Sequence, residues 1–241
     1  MIPIHDLNPT RRTPIFTWLI LAINIVVFLW EQTFSPEALF QMFQQLSVVP
    51  VLAAAAPFAP ETLLDVSRSI FLHGGWAHLI GNMLYLYLFA DNVEDRWGRI
   101  FFLVLYFASG YVAAMAQVLI DPTSEIPLVG ASGAIAGVLG SYLVLYPGVR
   151  VRGIIPLGFF STITDWPAWG VLALWFVLQL FNGLASLGAP MGSQGGVAFF
   201  AHIGGFVCGM VFTWIFMLIM PQPRADQRRQ MLYERAGRYR F

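Results

Sequence analysis

The chain has 241 residues, 58% of them hydrophobic and 11% charged, with zero formal net charge. Its mean hydropathy is +0.69, and soluble domains carry about 25% charged residues, so the composition excludes an ordinary soluble domain and defines a membrane protein. The single cysteine, Cys208, stands in an apolar run, cannot form an internal disulfide and implies no oxidising compartment.

Residues 1–14 are polar, contain Pro3, Pro9 and Pro14, and read as an extended cytoplasmic lead-in. Arg11 and Arg12 precede an apolar run over 15–30 that ends at Glu31. No small-residue cleavage site follows, so this run is expected to be a retained first span, not a signal peptide. The long connection to about Ile70 contains Phe40, Met42, Phe43 and Leu46, then a small-residue patch at 48–60 with three prolines. That stretch is too broken to span and too apolar to float free, which predicts a segment lying partly in the membrane interface.

After the breaker Gly74-Gly75, span two is predicted over 76–90 and span three over 100–120. Span four covers 128–146 and is closed by Pro147-Gly148. Span five covers 167–187, and a glycine-rich link at 188–196 leads to span six, 197–220. Pro221 and Pro223 stop the last span, and an arginine-rich tail follows. The expected architecture is an all-α membrane protein: a cytoplasmic lead-in (1–14), a six-helix membrane domain (15–220) and a basic cytoplasmic tail (221–241).

All 13 basic residues are arginine. Arg11 and Arg12, Arg96 and Arg99, Arg150 and Arg152, and the arginines of the tail fall on alternate connections. The other three connections carry only Arg68, with Glu37, Glu61, Asp65, Asp121 and Glu125. Positive charge marks the cytoplasmic side, so both termini are predicted to be cytoplasmic.

Spans two, four and six then run inward from the outer face. His78, Ser132 and His202 each lie within about two turns of the start of their span, on the order of 5–10 Å below its outer end at ~1.5 Å rise per residue. Three helices thus bring polar groups, and their partially positive N-terminal ends, to one depth. No Asp or Glu lies within the spans as drawn, so His78 and His202 are the intramembrane ionisable residues. Such residues are costly in lipid, and together with a serine they point to function.

Serine chemistry needs a base for the hydroxyl proton and donors for a developing oxyanion. His202 is the candidate base for Ser132. Gly133 and Gly137 on span four, and Gly205 and Gly209 on span six, are four apart, a spacing that lets helix backbones approach closely in lipid. Gly205 and Gly209 share the face of His202. His78 and Asn82, also four apart, share a face of span two, and with the backbone N–H of Ser132 they could form an oxyanion hole. With no intramembrane acid to orient His202, a Ser-His dyad fits better than a triad.

Gly130-Ala131-Ser132-Gly133, the block from His73 through Trp76 and His78 to Asn82, Ala201-His202-Ile203-Gly204-Gly205, and Asn92 to Gly98 together resemble rhomboid intramembrane serine proteases. The resemblance extends from the first span to the sixth. It implies a six-helix rhomboid-like bundle with a water-filled cavity open to the outside. It also implies Ser132 as nucleophile, His202 as general base, and His78 and Asn82 as oxyanion donors. His73 matches a position that is structural in the family. Expected substrates are single-span membrane proteins, cut in or near their transmembrane segments. No cofactor, metal or nucleic-acid partner is expected, and the oligomeric state is left open. Two departures stand out. Ala136 occupies the position, one turn after the serine, where many members have a tyrosine stacked on the histidine, so another group must hold the His202 ring. The first loop has Arg68 but no adjacent tryptophan.

Other residues read as structural. Trp166, Trp169 and Trp175 suit an interfacial aromatic belt. Gln179 and Asn182, near the outer end of span five, face the cavity or a substrate helix, or simply lie exposed at the interface. Glu94, Arg96 and Arg99 read as a cytoplasmic turn, and the tail is basic enough to touch anionic lipid. A transporter would call for intramembrane carboxylates, a zinc protease for H-E-x-x-H, an aspartyl protease for two intramembrane aspartates, and a silent rhomboid-like client binder would lack the serine or histidine. The compact core without a targeting extension suggests a prokaryotic plasma membrane.

Overall fold

A short helix, α7 (Ser132–Leu145), sits at the centre of the fold, buried on nearly every side. Its 14 residues reach only about 21 Å at ~1.5 Å per residue, less than the ~30 Å of a hydrocarbon core. Around it pack α5 (Trp76–Trp97), α6 (Arg99–Ile120), α8 (Ala168–Ser186) and α9 (Phe199–Ile219), and α1 (Ile15–Glu31) packs outside them against α5 and α6. The computed structural model describes residues 1–157, 160–187 and 198–221. The link 188–196, Val197 and the arginine-rich tail past residue 221 lie outside the described residues.

Helices α6, α8 and α9 are long and apolar enough to cross a membrane, and α1 and α7 are shorter apolar helices. Each of the six overlaps one of the predicted apolar runs. Two differ in extent. Helix α5 continues beyond Ala90 to Trp97, taking Asp91, Glu94 and Asp95 into the same helix. Residues 128–131, expected to be helical, are not: Leu128 N–H donates to the Val48 carbonyl (2.8 Å) and Gly130 N–H to the Ser69 carbonyl (2.9 Å). Extended pairing before Gly130 delays the helix, so Ser132 becomes its first residue.

Glycine lets α7 meet α9 backbone to backbone. A Cβ on Gly205 would stand 2.0 Å from the Gly133 carbonyl oxygen, and one on Gly209 1.9 Å from that of Gly137. A Cβ on Gly140 would stand 2.1 Å from the Phe206 carbonyl oxygen. Without a strong hydrophobic drive between helices in lipid, this close van der Waals contact holds them together. Ser141 adds a polar tie, accepting from Trp97 Nε1 of α5 (3.2 Å) and from Thr213 Oγ1 of α9 (2.6 Å).

The far end of the bundle is fastened by charge. Pro14 cannot cap α1 through its side chain. Glu94 of α5 does so instead, accepting from Phe16 N–H (3.0 Å), Thr17 N–H (2.8 Å) and Thr17 Oγ1 (2.8 Å). These helix-terminal amides have no intrahelical partner, and a carboxylate also suits the positive end of the dipole. Asp95 accepts from Arg11 Nε at 3.0 Å, and Arg96 donates to the carbonyl of Met220. The expected polar turn is thus a set of long-range ties. Gly98, at φ +77°, is the single residue between α5 and α6, a conformation that glycine adopts without steric cost.

Two features were not expected: helices in the first connection, and a sheet that departs from the all-α expectation. The connection after α1 contains three helices, α2 (Pro36–Leu46), α3 (Pro50–Ala55) and α4 (Pro60–Ser69). Each begins with proline, which is favoured at the first helical position because the N–H it lacks would be unpaired there. Of the three prolines expected to break the 48–60 patch, Pro50 and Pro60 start helices and Pro57 lies in the turn between them. The second feature is an antiparallel sheet of β1 (Ile2–Asp6), β2 (Arg150–Leu157) and β3 (Phe160–Pro167), in the order β1-β2-β3. Val151 is buried beneath it while Arg152 faces outward and pairs with Asp165 (2.8 Å). Asp6, at the end of β1, accepts from Tyr142 Oη (2.8 Å) and Asn92 Nδ2 (2.8 Å), locking the sheet to α7 and α5.

Candidate active site

The delayed start of α7 places Ser132 half-buried at a helix N-terminus, where the first amides lack intrahelical partners. His202 lies in the first turn of α9. The close approach of the two helices brings His202 Nε2 to 2.8 Å from Ser132 Oγ. The opposite ring nitrogen, Nδ1, is 2.8 Å from Gln179 Oε1 of α8. An amide oxygen can only accept, so Nδ1 carries the proton and the Nε2 lone pair accepts from the Ser132 hydroxyl. An alcohol paired with the unprotonated nitrogen of a neutral imidazole can become a nucleophile.

Trp175, expected in an interfacial belt, turns inward. Its ring lies 5.9 Å from that of His202, at 38° between planes, and 5.8 Å from that of Phe206. Trp166 and Trp169 are exposed. Ala136 is fully buried and supplies no ring, so the aromatic neighbours of His202 are Trp175 of α8 and Phe199 of its own helix, 6.5 Å away edge-on, and neither comes from α7. Asn182 is exposed. The signal for Gln179 and Trp175 was their four-residue spacing, which sets a polar and an aromatic group on one helix face.

His78 and Asn82 of α5 converge on the segment before Ser132. A Cβ on Gly130 would lie 2.6 Å from His78 Nε2 and 3.7 Å from Asn82 Nδ2. Gly130 has φ +124°, so glycine permits both the turn and the contact. Gly74 N–H makes a long hydrogen bond to His78 Nδ1 (3.4 Å), which leaves the Nε2 proton directed toward Gly130. Asn82 is buried, and its Nδ2 has no partner among the described residues. A buried donor without a partner is costly, and here it lies near the Ser132 end of α7.

His73 braces this corner. Its N–H donates to Glu31 Oε1 (3.0 Å), tying the end of α1 to the start of α5, and its ring lies 5.2 Å from that of His78. Burial, reinforced by His78, pushes the His73 ring down to about 4, so it is neutral near pH 7. Glu31, expected just past span one, is the last residue of α1 and fully buried. Among the described residues, no group of three or more His, Cys, Asp or Glu is placed to hold a metal ion.

These features define an integral membrane protein with a serine, an imidazole and amide donors gathered at the ends of its helices. A family model described as "Rhomboid domain" matches residues 60–219, and the chain belongs to the rhomboid family. It is 38% identical over 76 residues to "Putative rhomboid protease YdcA" of Bacillus subtilis, covering 32% of this chain and 38% of that one. It is 29% identical over 158 residues to "RHOMBOID-like protein 5" of Arabidopsis thaliana, covering 64% and 43%. "Rhomboid protease AarA" of Providencia stuartii is 27% identical over 164 residues, covering 63% and 55%. The chain thus spans between about two-fifths and about half the length of these curated relatives.

Proposed function

We propose that this protein is an intramembrane serine endopeptidase that cuts single-span membrane proteins in or near their transmembrane segments. The carrying observation is the 2.8 Å contact between Ser132 Oγ and His202 Nε2. Membership of a family with relatives named as proteases supports the same reading. In this reading α1 and α5–α9 form six spans, with both termini cytoplasmic and Ser132 in the outer half of the bilayer. The bilayer is a prokaryotic plasma membrane. Residues 1–14 form the lead-in, 15–220 the membrane domain and 221–241 the tail.

The chemistry follows from the residues. His202 Nε2 takes the Ser132 proton as Oγ attacks the scissile carbonyl carbon, and the carbonyl oxygen becomes an oxyanion. His78 Nε2–H, Asn82 Nδ2–H and the Ser132 backbone N–H donate to that oxygen. Such donors, fixed in advance in a site of low dielectric, are commonly worth ~10²–10³ in rate each. Collapse of the intermediate breaks the C–N bond, and the imidazolium passes its proton to the departing amine. Water then attacks the acyl-enzyme with His202 as base, releasing the carboxylate product and restoring Ser132. A polar site at a helix end, with α7 too short to cross the whole membrane, suits a reaction that consumes water within a bilayer.

The test is cleavage of a model single-span membrane protein by purified protein in liposomes. Wild type should cut; Ser132→Ala and His202→Ala should not, while unfolding at the wild-type temperature. Undiminished cleavage by His202→Ala would point to a different base.

A further inference from the structure

We infer that Gln179 is a positioning residue for His202, forming a Ser132–His202–Gln179 relay in which a neutral amide occupies the place an acid would take. This rests on the serine-protease reading above. The 2.8 Å contact from His202 Nδ1 to Gln179 Oε1 mirrors the contact on the other ring edge to Ser132, also 2.8 Å. Both ring nitrogens are therefore engaged, and the imidazole cannot rotate without breaking both hydrogen bonds. The amide is itself oriented: Gln179 Nε2 donates to the Trp175 carbonyl one turn back (3.4 Å). That leaves Oε1, the acceptor, facing the ring, and it sets the Nδ1–H tautomer required of a base at Nε2.

Trp175 supplies the second constraint. It lies one turn before Gln179 on the same face, with its ring 5.9 Å from the imidazole. Helix α8 therefore presents both an acceptor to the edge of the ring and an aromatic surface beside it. Ala136, a full turn into α7, is too small to do either. Burial in α8 is otherwise confined to Ala168, Val171, Leu172 and Gly183. Gln179 is only half-buried, so its contact with His202 is a specific tie rather than general core packing.

The experiment compares Gln179→Met, Gln179→Glu and Ser132→Ala with wild type in the full chain, using the model single-span substrate. Methionine keeps the length and unbranched shape of glutamine but replaces the amide oxygen that accepts the Nδ1–H hydrogen bond with a thioether, a weak acceptor. A positioned base contributes ~10²–10⁴ in rate, and losing its orientation should remove about 10–100-fold of that from kcat. KM should change less than about twofold, because the substrate contacts are untouched. Gln179→Glu, which restores an acceptor, should keep kcat within about fivefold of wild type. A wild-type kcat in Gln179→Met overturns the proposal. So does an equal loss in both variants with a lowered unfolding temperature, which would mark a packing role. If wild type cuts no faster than Ser132→Ala, the serine-protease reading falls, and this proposal with it.

Discussion

Replacing Gly205 with alanine adds one methyl group where α7 and α9 are closest. That carbon would stand 2.0 Å from the Gly133 carbonyl oxygen and 3.4 Å from Ala113 Cβ. A carbon and an oxygen need at least ~3 Å, and the obstacle is backbone, so the helices must part by about 1 Å. His202 lies less than a turn earlier on α9 and moves with it. Its 2.8 Å contact with Ser132 would open to about 3.8 Å, beyond hydrogen-bond reach. A misplacement of ~1 Å costs on the order of 10²-fold in rate, and overpacking costs ~1–3 kcal/mol in stability. Cleavage of the single-span substrate, with thermal unfolding measured in parallel, reads both. Gly81→Ala is the control: nothing lies within 4 Å of its added carbon, and alanine in a helix interior is favoured by about 1 kcal/mol. If Gly205→Ala cuts at more than half the wild-type rate while Gly81→Ala behaves as expected, the close approach of α7 and α9 is not what delivers His202 as the proposed base.

Gly130→Ala should reduce kcat at least about tenfold with little change in KM, because its added carbon falls 2.6 Å from the His78 ring and would displace the oxyanion donor proposed there; wild-type kcat would remove His78 from the proposed oxyanion site. The pH dependence of stability tests the other end of the bundle. Burial raises Asp6 from 3.8 to about 6, against the opposing hydrogen bond from Tyr142. Below about pH 4 the carboxyl is protonated in both folded and unfolded chains, so it has no effect on the balance. Between there and about pH 6 only the unfolded chain ionises, and folding weakens as pH rises. Above pH 6 the loss is constant, on the order of 3 kcal/mol. Asp91 lines the same cleft as Asp6 and His5, so the comparison is made against Asp6→Asn at each pH. The variant should unfold at a higher temperature than wild type at pH 7 and at the same temperature at pH 4; a gap that does not change with pH would contradict the burial argument.

The apolar runs, and the polar residues that the structure brings together at Ser132, were legible because each leaves a local mark. Long hydrophobic segments need no partner to be recognised, and glycines four apart announce a close helix contact. Features that depend on distant partners were not. Asp91, Glu94 and Asp95 look like the polar end of a span until Arg11 and the free amides of α1 are seen to satisfy Glu94 and Asp95. Pro50 and Pro60 look like breakers until each is found at a first helical position, and only Pro57 of that patch lies in a turn. The strands β2 and β3 had a local signal, the alternation around Val151 and Arg152 and the β-branched run Thr162-Ile163-Thr164, but arginine content drew it into a loop. Gln179 was visible as a polar residue in an apolar helix; its distance to His202 depends on how α8 leans on α9, which no pattern within α8 encodes.

The most direct measurement of the central claim is the mass of peptides from the full chain after reaction with a fluorophosphonate, which bonds to an activated serine oxygen. The account predicts one adduct, on Ser132, absent from Ser132→Ala and strongly reduced in His202→Ala. Equal labelling of Ser132→Ala and wild type, or an adduct on any other hydroxyl, would contradict it.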